Sequence, residues 1–194
     1  MPRVVSGRYR GTVLAAPKGD NTRPTTDKVK EALFSILQTR VPDSVFLDLF
    51  SGTGQIGIEA VSRGAERAVL VEKNGGALNI IRQNLAKIRA DEEEIRVMKN
   101  SAEGALELLA SKGEKFDIIF MDPPYKIANE QAIKAAALIK KHGLLREDGI
   151  LIVEHSDEFP LKLEDIALEH YRSCSYGITV ITFFKYGISR RINS

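Results

Sequence analysis

The sequence predicts an α/β protein built on a doubly wound, mostly parallel sheet of seven strands. An antiparallel C-terminal hairpin closes the sheet and a small N-terminal extension precedes it. Three observations predict this class. From residue 45 onward, short apolar runs alternate with amphipathic segments, the pattern of repeated β-α units. One of those runs, Phe116–Met121, is almost continuously apolar, as expected of a strand buried on both faces. The first run passes directly into a glycine-rich turn that opens a helix.

The elements follow in order. Residues 3–14 read as a short hairpin: Arg3-Val4-Val5, a turn near Gly7, then Gly11-Thr12-Val13-Leu14. Pro17 to Pro24 is a polar loop, and Thr25 or Thr26 caps the helix that follows. Val29, Leu33, Ile36 and Leu37 form one apolar stripe on that helix, which Arg40-Val41-Pro42-Asp43 ends. The boundary between this extension (1–43) and the main domain (44–194) falls here. Strands are then expected at Val45-Phe46-Leu47, Ala68–Val71, Ile95-Arg96-Val97, Phe116–Met121 and Ile150–Val153. Helices are expected at Gly54–Arg63, Ala77–Ile88, Ala102–Ala110 and Gln131–Lys140. The last two strands, about 168–174 and 178–185, meet at Tyr176-Gly177 as a hairpin.

Composition narrows the functional classes. No apolar run reaches the roughly 20 residues of a membrane span, and the N-terminus lacks a signal-peptide block. A single cysteine, Cys174, excludes an internal disulfide, and three scattered histidines make no metal site. A cytoplasmic protein without a metal, and a monomer, is the expectation. Net charge is +2, unevenly spread: residues 1–40 hold eight Lys/Arg and three acids, while the remainder holds 20 and 23. A basic arm on a mildly acidic body suits a polyanionic partner, although a merely solvated basic terminus has the same composition.

The first strand leads into Asp48-Leu49-Phe50-Ser51-Gly52-Thr53-Gly54-Gln55-Ile56-Gly57. Gly52, Gly54 and Gly57 spell G-x-G-x-x-G, so a dinucleotide site has to be weighed. Glu72 ends the second strand, where an acid can accept hydrogen bonds from both hydroxyls of a ribose. Asp48 lies beside the glycine turn. A carboxylate there repels a pyrophosphate and suits a cationic amino-acid moiety. S-adenosylmethionine carries an ammonium and a sulfonium and no phosphate, so Asp48 favours it over NAD.

The most specific signal is Asp122-Pro123-Pro124-Tyr125 at the end of the fourth strand, on the sheet edge where open α/β folds bind ligands. The prolines stop the strand and fix the chain direction. Tyr125 offers a face for a base to stack on. Asp122 and the Pro123 carbonyl can accept hydrogen bonds from a base amino group. That nitrogen is a poor nucleophile because its lone pair is delocalised into the ring. Two acceptors favour a pyramidal nitrogen aimed at a methyl group and offset the charge that develops on it.

The loop Asp48–Gly54, Glu72 and Asp122–Tyr125 resemble class I S-adenosylmethionine-dependent amino-methyltransferases. That pattern serves DNA adenine, DNA cytosine and RNA guanine alike. Ser6-Gly7-Arg8-Tyr9-Arg10-Gly11, Arg23–Phe34 and Gly57–Ala65 resemble more narrowly the bacterial small-subunit ribosomal RNA guanine-N2 methyltransferase family. The resemblance covers nearly the whole chain. It implies a Rossmann-like methyltransferase domain, with cofactor contacts at Asp48, Phe50, Gly52, Gly54, Glu72, Ser101 and Ala102. It implies catalysis by Asp122, Pro123, Pro124 and Tyr125, and an RNA-binding extension using Arg8, Arg10 and Arg23. The implied substrate is ribosomal RNA or a small-subunit assembly particle. Ser101 stands where many methyltransferases carry an acid. Three rivals stay open: an NAD-dependent oxidoreductase, a DNA adenine methyltransferase, and a non-catalytic RNA-binding assembly factor.

Overall fold

The computed structural model describes residues 2–17 and 27–187. It has the expected seven-stranded sheet. β1 (Val45–Asp48), β2 (Arg67–Glu72), β3 (Ile95–Lys99), β4 (Phe116–Met121) and β5 (Leu145–Ser156) run parallel to one another. β7 (Thr179–Lys185) lies antiparallel to β5, and β6 (Glu169–Tyr176) antiparallel to β7. The order is β3-β2-β1-β4-β5-β7-β6, so the winding reverses between β1 and β4. In open α/β sheets the ligand crevice opens at that reversal, outside the carboxyl ends of the strands.

Strand alternation divides the core. Phe46, Leu70, Ile118 and Ile152 face α1 (Asp27–Ile36), α2 (Gln55–Ser62) and α3 (Gly75–Ile88). Leu47, Val69, Ile119 and Val153 face α4 (Ala102–Ser111) and α5 (Ala128–His142). The third glycine of the loop has a packing role: a Cβ at Gly57 would run into the Leu70 side chain, so its absence lets α2 lie close on β2.

The N-terminal segment forms the expected short hairpin: Arg3 and Val13 make an antiparallel bridge, Val4 N–H donates to the Thr12 carbonyl, Gly11 N–H to the Val4 carbonyl and Leu14 N–H to the Pro2 carbonyl. Between them, Arg10 N–H donates to the Gly7 carbonyl and Thr12 N–H to the Tyr9 carbonyl, closing two turns. The amides of Val5 and Ser6, beyond the paired residues, donate to the Glu59 carboxylate of α2 at 2.8 and 3.0 Å. Gly7, at φ 80°, touches the Ser62 carbonyl so closely that any side chain there would overlap it. Val4, Leu14, Leu33, Phe34 and Leu37 join the same apolar cluster as α2 and the sheet. The proposed helix caps Thr25 and Thr26 lie outside the described residues, as does most of the polar loop.

Other differences are local. α3 begins at Gly75, because Asn74 caps it by accepting from the Ala77 amide at 3.0 Å. β5 begins five residues early, at Leu145, which pairs with Phe116 before a register shift. A short 3-10 turn at Tyr125–Ile127 leads into α5, which starts at Ala128.

Candidate active site

Four loops at the carboxyl edge carry the residues singled out from the sequence. Asp48 ends β1, Glu72 ends β2, Asn100-Ser101 follow β3, and Asp122 follows β4. Asp48 and Asp122 stand on either side of the β1/β4 reversal, where Asp48 pairs in register with Phe120 and the Phe120 carbonyl accepts from Leu49 N–H at 2.9 Å. The sheet's parallel order therefore assembles what the sequence holds 74 residues apart, counting from Asp48 to Asp122.

The glycine loop is held from several sides. Gly52 and Gly54 both take positive φ, 52° and 79°, which glycine adopts without strain. Gly52 N–H donates to Glu72 Oε2 at 2.9 Å, and Glu72 Oε1 accepts from Asn74 N–H at 2.7 Å. Glu72 thus braces the loop and remains half-buried at the crevice. Ser51 N–H reaches the Val71 carbonyl, tying the loop to β2. Gly54 caps α2 without any side-chain partner, so the first-turn amides of that helix open toward the crevice.

Asp48 is the most perturbed group of the site. It is 1% exposed, and neither carboxylate oxygen has a hydrogen-bond partner. Burial, with Asp122 and Glu72 as neighbouring negative charges, pushes it up to about 8. The backbone amides of Gly57 and Phe50 pull it part of the way back, although neither reaches hydrogen-bond geometry. A buried, unpartnered carboxylate beside two other acids matches a ligand bearing positive charge and opposes a pyrophosphate. An ammonium with a nearby sulfonium fits this donor set. The G-x-G-x-x-G pattern therefore surrounds a site electrostatically unsuited to a dinucleotide. Among the described residues no group of three or more His, Cys, Asp or Glu could hold a metal ion.

The tetrapeptide forms the other wall. Pro123 is buried, Asp122 and Tyr125 are half-buried, and Pro124 is exposed. Pro124 leads into the 3-10 turn, where its carbonyl accepts from Ile127 N–H at 2.9 Å. The Tyr125 hydroxyl lies 3.4 Å from Thr179 Oγ1 on β7, which orients the ring from its far end. Phe50 packs partly buried on the α4/α5 side. Ser101 is exposed and caps α4, its hydroxyl accepting from Gly104 N–H at 3.1 Å, while Ala102 is buried behind it.

The arginines are placed differently. Arg8 docks on the far end of α2, its amide donating to the Ser62 carbonyl and its guanidinium pairing with Glu94 at 2.7 Å. That is the amino edge of the sheet, about 20 Å from the crevice by the length of a six-residue strand. Arg10 is exposed on the same turn, and Arg23 lies outside the described residues. Among the buried polar residues that the sequence does not single out are Glu59 on α2 and Asn84 on α3. Asn84 interrupts the stripe Leu78, Ile81, Leu85, Ile88, and a polar residue in an apolar stripe is the signal that marks it.

Comparison with known proteins agrees in fold. The family model described as conserved hypothetical protein 95 matches residues 2–185. YlbH of Bacillus subtilis strain 168, named provisionally as an rRNA methyltransferase, is 39% identical over 184 residues, covering 94% of this chain and 98% of YlbH. Ribosomal RNA small subunit methyltransferase D of Escherichia coli K12 is 35% identical over 157 residues, covering 80% of this chain and 75% of that enzyme. The solved structure of yhhF from Escherichia coli, named provisionally as a methyltransferase, superposes with a TM-score of 0.80 at 31% identity. It covers 95% of this chain and 97% of that one.

Proposed function

The chain belongs to the conserved hypothetical protein 95 family, and on that premise we propose that it methylates small-subunit ribosomal RNA, using S-adenosylmethionine at the N2 amine of a guanine. One observation carries this reading: Asp122-Pro123-Pro124-Tyr125 faces a cation-seeking glycine-loop site across the sheet's reversal point. Relatives named for rRNA methylation support the class of substrate.

The residues divide the work. Asp48 and the Gly52–Gly54 backbone hold the cationic amino-acid end of the cofactor, and Glu72 accepts from its ribose. Asn100, Ser101 and Ala102 hold its adenine, and Phe50 lines the cofactor site. When bound, the cofactor supplies an electrophilic methyl group on sulfonium. Tyr125 stacks on the target base, and Asp122 with the Pro123 carbonyl accepts from its amino group. The nitrogen is thereby turned toward the methyl group, and its developing positive charge is offset. Arg8, Arg10 and Arg23 contact RNA phosphates. From its position at the opposite sheet edge, Arg8 requires a substrate long enough to span the domain.

The test is methyl transfer from labelled cofactor to small-subunit RNA, naked and in ribosomal particles, with mass spectrometry of the digested product. N2-methylguanosine is expected. N6-methyladenosine or N4-methylcytidine as the sole product would move the target base and leave the methyltransferase reading standing. Cofactor binding without any methylated nucleoside would favour an RNA-binding assembly factor.

A second expectation concerns pH. The bound cofactor needs Asp48 ionised, whereas the free protein holds it protonated up to about 8. Binding therefore releases a proton below that pH. Affinity should rise with pH from about 6 to 8, approaching tenfold per unit, and flatten above. Calorimetry in buffers of different ionisation enthalpy measures the released proton. Asp48→Asn should weaken binding and remove the slope; an unchanged slope in that variant would assign the titration to another group.

A further inference from the structure

We propose that Asn84 is a positioning residue that couples the cofactor loop to the N-terminal arm, so that cofactor and RNA bind cooperatively; this rests on the methyltransferase reading above. Asn84 is 0% exposed. Its side-chain amide spans two segments that are remote in sequence. Oδ1 accepts from Ala15 N–H at 2.6 Å, and Nδ2 donates to the Ala15 carbonyl at 3.1 Å. The same Nδ2 donates its second hydrogen to the Thr53 carbonyl at 2.9 Å.

Thr53 sits between Gly52 and Gly54, the two positive-φ residues of the cofactor loop. Glycines give that loop its shape and also its freedom, so its conformation must be fixed by outside partners. Glu72 fixes it at Gly52, and Asn84 fixes it one residue later. Ala15 is the arm residue that follows Leu14, whose amide pairs with the Pro2 carbonyl. The arm's two ends are thus joined at one point, and that point is tied through Asn84 to the loop. Lys87, one turn further along α3, donates to the Val13 carbonyl at 3.2 Å and holds the arm along the same helix.

A single buried amide shared by both segments makes their ordering common. Cofactor that rigidifies the glycine loop removes part of the freedom the arm must lose when RNA binds, and RNA on the arm does the same for the loop. Thermodynamic linkage requires each ligand to raise the affinity of the other by the same factor. A residue that only stabilised the fold would alter melting temperature and leave that factor unchanged.

The experiment measures the dissociation constant of S-adenosylhomocysteine for the full chain by calorimetry, with and without saturating transcribed small-subunit ribosomal RNA. The homocysteine form avoids turnover. In the wild type, RNA should tighten it by about fivefold or more. In Asn84→Leu, which keeps a buried side chain of similar size and removes the amide, the ratio should fall to within about twofold of unity. If that variant does not fold, Ala15→Pro removes the amide that donates to Asn84, keeps the Ala15 carbonyl and leaves α3 and the loop intact; a ratio at least halved toward unity is expected. A ratio unchanged in the folded variants, or a wild type that binds both ligands without coupling, overturns the proposal and spares the methyltransferase reading. A wild type that binds neither ligand overturns both.

Discussion

Asp122→Ala should lower the single-turnover rate by about 10²–10³ at saturating cofactor, while cofactor affinity changes only a few-fold. The size follows from what the side chain is asked to do. The target nitrogen begins nearly planar and neutral and develops positive charge as its bond to carbon forms. An acceptor fixed at the end of β4, braced by two prolines, meets that charge without having to reorganise. Alanine leaves the strand end and the prolines in place, so the loss is confined to the step that needs the carboxylate. Asp122→Asn keeps an acceptor without the charge and should fall between the two. Asp122 also raises Asp48 electrostatically. Its removal should therefore shift the pH profile of cofactor affinity toward lower pH, a readout independent of turnover. Tyr125→Phe should be milder than Tyr125→Ala, since the stacking face survives and only the hydroxyl near Thr179 is lost. A rate within a few-fold of wild type in Asp122→Ala would remove the carboxylate from the chemistry.

The site was readable because its parts are local. Each motif sits at one strand end, and parallel order brings strand ends together whatever the intervening helices contain. Asp48, Gly52, Glu72 and Asp122 each stand at or just past a strand end that its own local sequence marks. The buried parallel strands were readable for the same reason, since burial on both faces leaves a continuous apolar run. β5 was cut short because Arg146-Glu147-Asp148-Gly149 break that run, and these residues are exposed ahead of the register shift. The first turn of α3 was missed because Gly75-Gly76 disfavour a helix locally, and the Asn74 cap outweighs them. The N-terminal hairpin is legible too, but its docking is not: the Val5 and Ser6 amides beyond its paired residues are taken by Glu59, more than 50 residues away. Asn84 is half legible: it breaks the apolar stripe of α3, but its partners lie 31 and 69 positions away and no spacing announces them.

The charge distribution has the same origin. The sequence shows a basic arm, and a free basic arm would contact RNA along its length. In the folded chain several of those cations already have carboxylate partners: Arg8 with Glu94, Arg3 and Lys30 with Asp27, Lys30 also with Glu59. Part of the arm's positive charge is thus spent on docking it. The arm's excess over the body is smaller at the surface than in the sequence, and exposed Arg10 becomes the stronger candidate for a phosphate contact on this turn.

Glu59→Ala should destabilise the protein by about 3–5 kcal/mol, more than any other single change to the arm's attachment. Glu59 and Lys30 are each 0% exposed. One carboxylate accepts from the Val5 and Ser6 amides, pairs with Arg63 Nε at 2.8 Å and lies 3.7 Å from Lys30 Nζ. Its loss takes the acceptor from two partly buried amides and leaves a buried ammonium with Asp27 and the Arg3 carbonyl as partners. Burial already lowers Lys30 below the usual lysine range, and Glu59 is the largest opposing influence. Without it the ammonium should give up its proton more readily in the folded state. The unfolded chain then binds more protons than the folded one, so the variant's stability relative to wild type should recover as pH rises toward the usual lysine range. Thermal unfolding at several pH values measures both effects, with a midpoint lowered on the order of 10 °C near neutrality. Glu59→Leu combined with Lys30→Met removes the stranded charge and should be more stable than Glu59→Ala, because an apolar pair of similar volume replaces a buried ion pair at little cost. The orphaned Val5 and Ser6 amides keep the double variant below wild type. A Glu59→Ala protein within about 1 kcal/mol of wild type, with no pH dependence in the difference, would mean that water or Asp27 satisfies Lys30 and that the arm is held by its apolar residues alone.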